Sequence, residues 1–153
     1  MRIILAFVLL CACGAQATAQ APKNREEYMQ KVLQIALQNI QNARCGSERC
    51  SPATEAEKKN PPLSLSETSE VVGRGIFSGG AAYCGLDWQK RNFVPMMDYW
   101  KKQKKKNDRQ LAMIAIIHNV MIEQIQANFA AKGACPEEMR KDVDSKLNFK
   151  PQG

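Results

Sequence analysis

The sequence predicts an all-α fold: a compact bundle of four main helices plus a short C-terminal helix, stapled by two disulfides. Three observations carry this. Apolar residues in each long segment recur at spacings of three and four, and period-2 alternation is absent. Helix caps precede those segments (Asn24, Ser64 or Ser66, Asp87, Asn107 or Asp108) and glycines follow them (Gly46, Gly85, Gly133). Four cysteines, Cys45, Cys50, Cys84 and Cys135, remain beyond a leader that reads as an export signal.

The leader begins with Met1-Arg2, continues as an apolar run from Ile3 to Leu10, and becomes small-residue toward Ala17-Thr18-Ala19. That is the plan of a secretory signal peptide with an A-x-A cut, Ala15-Gln16-Ala17 being a second register. The expected organisation is a signal peptide over 1–19, a single α-helical domain over 20–148 and a frayed tail over 149–153. The apolar run is shorter than the roughly 20 residues a span needs. In Leu111–Ile122, the next candidate, His118 and Asn119 interrupt the run. Leu10-Cys11-Ala12-Cys13 loosely matches a lipobox, so lipid anchoring through Cys13 is the alternative to a soluble exported form. No asparagine opens an N-x-[ST] sequon, which favours a bacterial periplasm over a glycosylating secretory route.

The first helix is expected from Arg25 to Ala43, started by an Asn24/Glu27 capping box. Tyr28, Met29, Val32, Leu33, Ala36, Ile40 and Ala43 fall on one stripe. Residues 46–65 form a connector broken by Pro52 and Asn60-Pro61-Pro62, with one helical turn over Thr54–Lys59. The second helix starts at Ser64 or Ser66 and ends by Gly85. Val72, Gly75, Ile76, Gly79, Ala82 and Tyr83 make its inner face. Glycine inside a helix costs about 1 kcal/mol against alanine, so Gly75 and Gly79 imply close approach of a neighbouring helix.

The third helix begins after Asp87 and packs through Trp88, Phe93, Met96, Met97 and Trp100, with a kink or restart at Pro95 and Asn92 as a second cap. The fourth, capped by Asn107 or Asp108 with Gln110 in the box position, carries Leu111, Ile114, His118, Met121, Ile122, Ile125 and Phe129 on one stripe. Ala112, Met113, Ile116, Ile117 and Val120 make its first half apolar all round, which marks it as the central helix. Pro136 opens a fifth, short helix through Leu147.

Helices three and four are joined by a short loop and so should be antiparallel neighbours. That places Cys84, before the one, beside Cys135, after the other, and leaves Cys45 with Cys50. The rival pairing is Cys45–Cys135 with Cys50–Cys84. The spacings lack the paired C-x-x-C knuckles of a zinc site, so no metal is expected.

Length sets one domain, large enough to bury about two thirds of its unfolded surface. The formal charge is +7, or +6 without Arg2. Outside the cytosol nucleic acid is not an expected partner; anionic lipid, cell-wall polymer or an acidic protein is. The exposed feature matching such partners is Lys101-Lys102-Gln103-Lys104-Lys105-Lys106, a run at a helix end, with Tyr99 and Trp100 beside it as interfacial aromatics. His118 is the single histidine. It reads as a core residue hydrogen-bonded to Asn92 or Tyr83, with a pH-sensitive role as the functional alternative. The glycine-rich Gly73–Gly80 stretch fits neither a dinucleotide fingerprint nor a nucleophile elbow around Ser78. Glu26-Glu27 and Glu137-Glu138 sit in first helical turns, where they complement the helix dipole.

The function expected from these residues is non-catalytic: an exported small helical protein that binds a macromolecular partner in the periplasm. In outline only, its plan is similar to small chaperones, inhibitors and immunity proteins. The alternatives are envelope or membrane-surface association through Lys101–Lys106 and, last, an enzyme. No cofactor is called for.

Overall fold

The computed structural model describes residues 24–151. The leader and Cys13 lie outside the described residues. The chain is an all-α bundle of α1 (Arg25–Asn39), α2 (Glu55–Lys59), α3 (Leu65–Tyr83), α4 (Val94–Lys102), α5 (Asp108–Phe129) and α6 (Glu137–Leu147). Cys45 bonds Cys50, and Cys84 bonds Cys135.

The caps form as the sequence implies. Asn24 accepts a hydrogen bond from the Glu27 amide at 2.9 Å. Full capping boxes form at Thr54/Glu57, Ser64/Glu67 and Asn107/Gln110. The last turn of the first helix tightens to 3-10 geometry over Ile40–Asn42 instead of staying α-helical to Ala43. No strand is expected from the sequence, yet β1 (Arg44–Cys45) and β2 (Glu48–Arg49) pair as an antiparallel ribbon. Two residues per strand cannot display an alternation. The turn instead rests on Gly46, whose φ of 69° belongs to the left-handed region, and on the Cys45–Cys50 clip.

α3 and α5 pack side by side and run parallel. Gly75 faces His118 and Met121, Gly79 faces Ile125, and Tyr83 stacks on Phe129 with centroids 4.7 Å apart. A Cβ at Gly75 would lie 2.6 Å from the Met121 Cβ and 2.9 Å from the His118 carbonyl. The close approach read from the sequence is present. Gly75→Leu is therefore expected to lower stability by about 1–3 kcal/mol through overpacking. Gly73→Ala, where nothing lies within 4 Å, should leave it equal or higher. Equal melting of Gly75→Leu and the parent would remove the argument.

The remaining inner face of α3 differs from expectation. Ile76 is 44% exposed. Arg74, Ser78 and Ala81 form a second buried stripe on the opposite side, which turns Ile76 outward. Ala82 and Tyr83 are half-buried. The first half of α5 is buried through Ala112, Met113, Ile114, Ile117 and His118, as its all-round apolar character implies. α1 runs antiparallel to α5: Tyr28 donates to Gln124 at 3.1 Å near one end, and Gly46 lies against Asp108 at the other.

The disulfide pairing matches the expected one, but the geometry behind it differs. Trp88 and Phe93 lie beside His118, halfway along α5, rather than beside its end. Cys84 meets Cys135 because parallel α3 and α5 finish together.

Pro95 neither breaks nor restarts the third helix, which widens to a π-turn ahead of it and continues unbroken into α4. Residues 89–93 form a π-helical turn after Asp87, which caps through the Lys90 amide at 3.1 Å. Proline has no N–H for the Arg91 carbonyl. The Phe149 amide donates to that carbonyl at 2.9 Å instead. Phe149, expected within a frayed tail, is consequently docked, its ring 5.5 Å from that of Tyr99.

Candidate functional site

One set of polar side chains converges inside the bundle. His118 Nε2 lies 2.9 Å from Ser78 Oγ, and the Asn92 amide donates to the same Oγ at 2.7 Å. Asn92 also donates to the Arg74 carbonyl at 2.9 Å and accepts from Arg74 Nε at 2.6 Å. Arg74 donates onward to the Leu147 carbonyl at 2.6 Å. The chain thus links α3, the π-turn, α5 and the end of α6.

Each position has a local cause. Arg74 and Ser78 are one helical turn apart on the second buried stripe of α3. Asn92 is carried inward by the π-turn, so it is an interior hub and not the second cap expected of it. The guanidinium completes the C-terminal carbonyls of α6, where cations are favoured, and lies between the rings of Phe77 and Phe149 at 5.5 and 5.6 Å. Burial pushes Arg74 downward from its ordinary value, and Glu70 one turn earlier opposes that push. A guanidinium keeps its charge in proteins, so the core holds a cation.

His118 is a core histidine with a hydrogen-bonded neighbour, but that neighbour is Ser78, with Asn92 one link further and Tyr83 elsewhere. Ser78 Oγ receives one Asn92 proton and shares a second hydrogen bond with Nε2, whose direction follows the tautomer of the neutral ring. Burial pushes His118 down to about 4; Asn119 partly offsets the push and the Arg74 charge adds to it. Nδ1 itself has no hydrogen-bond partner.

A serine 2.9 Å from a histidine invites a nucleophile reading. The environment opposes it. Ser78, His118 and Asn92 are each 0% exposed, and Trp88 and Phe93 cover the imidazole. A surface cleft of about 560 Å³ between the first turns of α1 and α3 is lined by Arg25, Ser69 and Glu70, and by none of the buried set. Among the described residues no group of three metal-ligating side chains forms.

The lysine run sits at the end of α4 and in the turn to α5. Lys101, Lys104 and Lys105 are exposed, and Lys102 pairs with Asp98 at 2.9 Å. Lys106 departs from the solvated arrangement expected of the run. It is half-buried and bonds Glu67 at the start of α3, with Nζ–Oε1 2.6 Å. Burial pushes the Glu67 carboxyl up, but the hydrogen bonds from Lys106 and Ser64 outweigh it and hold it below its ordinary value. Tyr99 and Trp100 are 7% and 0% exposed, so neither serves as an interfacial aromatic. They are core residues because the α4 stripe that carries them turns onto α5 and the docked tail.

Sequence reading missed Arg74, Ser78 and Asn92 as a unit. Only the i, i+4 spacing of Arg74 and Ser78 on a glycine-rich helix signals it. Comparison with known proteins found no family model, no curated protein and no solved structure that matches the chain.

Proposed function

We propose that this is an exported, non-catalytic protein that works by binding a macromolecular partner carrying negative charge. The observation that carries the reading is the separation of its chemistry. Among the described residues, the arrangement resembling a catalytic pair, Ser78 with His118, is sealed and bonded to Asn92, which holds Arg74 in the core. At the surface, Lys101, Lys104 and Lys105 gather three exposed positive charges in one interhelical turn. Two disulfides, and no helix among the described residues long and apolar enough to cross a membrane, support an oxidising, extracytoplasmic setting.

Such attraction is screened over roughly 8–10 Å at physiological salt, so binding should weaken as salt rises. The test is affinity capture from native envelope extract with the parent and with Lys101→Gln/Lys104→Gln/Lys105→Gln, read by mass spectrometry. Lys106 is left intact because it braces α3. A component retained by the parent, lost by the variant and released by salt supports the reading. Equal capture by both proteins overturns it.

A further inference from the structure

The lysine turn does not stand alone at its end of the bundle. α5 begins at Asp108, immediately after the turn, and Gly46 at the tip of the β1–β2 ribbon lies against the Asp108 carboxylate. The ribbon is therefore beside the turn. Its register sets Arg44 directly opposite Arg49, and both are exposed. Directly opposed residues of a ribbon share a face, and like charges there destabilise it. The Cys45–Cys50 bridge and a hydrogen bond from the Arg44 guanidinium to the Ser47 carbonyl hold this arrangement. Among the described residues none of Arg44, Arg49, Lys101, Lys104 and Lys105 is ion-paired. The acidic groups of this end are Glu48, Asp108, Asp98, Glu67 and Glu57, the last three engaged with Lys102, Lys106 and Arg109.

Two features of this surface select the partner. Protein interfaces are depleted of lysine and depend on buried aromatic or apolar anchors. Here the neighbouring aromatics, Tyr99 and Trp100, are buried. The cations are also carried on two separate elements, a ribbon and an interhelical turn, which suits a laterally mobile field of anions better than one shaped groove.

We propose that Arg44, Arg49, Lys101, Lys104 and Lys105 form one two-armed docking surface for the phosphate headgroups of an anionic lipid membrane, without insertion. This rests on the reading above, a partner of negative charge, and commits it to lipid. Each basic residue near such a surface adds to the attraction, so losing either arm should lower vesicle partition roughly tenfold or more.

The experiment is co-sedimentation of the purified, oxidised protein with phosphatidylglycerol-containing vesicles and with pure phosphatidylcholine vesicles at low salt, beside a soluble polyglutamate control. Arg44→Gln/Arg49→Gln and Lys101→Gln/Lys104→Gln/Lys105→Gln should each lose partition while keeping the parental melting curve. Arg44→Lys/Arg49→Lys should keep partition, because charge and not guanidinium geometry is used. Parental binding by Arg44→Gln/Arg49→Gln, or equal binding to both vesicle types, overturns the proposal. Binding to polyglutamate but not to phosphatidylglycerol overturns it and leaves the broader functional reading standing. Binding to neither removes both.

Discussion

Asn92→Leu is expected to cost about 3.5–5 kcal/mol of stability, the largest loss of any single change considered. The bond that Asn92 accepts from Arg74 is charge-assisted and contributes about 1.5–3 kcal/mol, and each neutral partner left unpaired adds roughly 1. Leucine has similar bulk, so the loss is one of polarity rather than of volume. Denaturant unfolding of the parent and the variant checks the magnitude. Adding Arg74→Met removes the cation that Asn92 serves. The double variant should then lose clearly less than the sum of the two singles, because a buried charge without its partner is the costly state. Additive losses would show that Arg74 and Asn92 do not act as a unit.

Stability should fall by about 3 kcal/mol as pH drops from 6.5 to 4, with His118 as the cause. The sign follows from the two states. In the unfolded chain the imidazole takes a proton near its ordinary value of 6.5; in the fold it resists until about 4. Between those values the unfolded state binds more protons, so acid favours unfolding. The contribution is complete above pH 6.5 and gone below 4. The groups that face the ring explain its resistance: Ser78 from α3, Trp88 and Phe93 from the segment before α4, with the Arg74 cation behind them. Carboxylates act at lower pH. The hydrogen bonds from Arg109 hold Glu57 at about 2, so its contribution begins to fall as pH drops through its ordinary value of 4.5 and is gone only below about 2, mostly under the His118 window. Equilibrium unfolding at pH 7, 5.5 and 4.5 for the parent and His118→Gln separates the two. The parent should lose stability across this window and the variant should change little. Parallel pH dependence in both would assign the effect elsewhere.

The sequence by itself determined the main helices and their starts, but not the β1–β2 ribbon, the 3-10 turn over Ile40–Asn42 or the π-turn over Gln89–Phe93. The caps at Ser64 and Asn107 and the turn at Thr54–Lys59 each arise from bonds within a few residues. That is the range over which one chain segment shows its conformation. The close approach at Gly75 and Gly79 was legible too, because glycine in a helix costs free energy that only a neighbour explains. The disulfide pairs were also legible, although the parallel run of α3 beside α5 that brings Cys84 to Cys135 was not.

Only the tertiary structure decided which polar groups meet. Arg74, Ser78, Asn92 and His118 belong to three separate segments, and no local pattern distinguishes an arginine bound for the core from one bound for solvent. The same holds at the surface. Lys106 differs from Lys105 only because Glu67 of another helix reaches it, and Arg44 and Arg49 join the lysine turn only because Gly46 lies against Asp108. Local hydrogen bonding is written along the chain, but the burial or pairing of a charge depends on neighbours distant in sequence. Those neighbours exist only once the helices have packed.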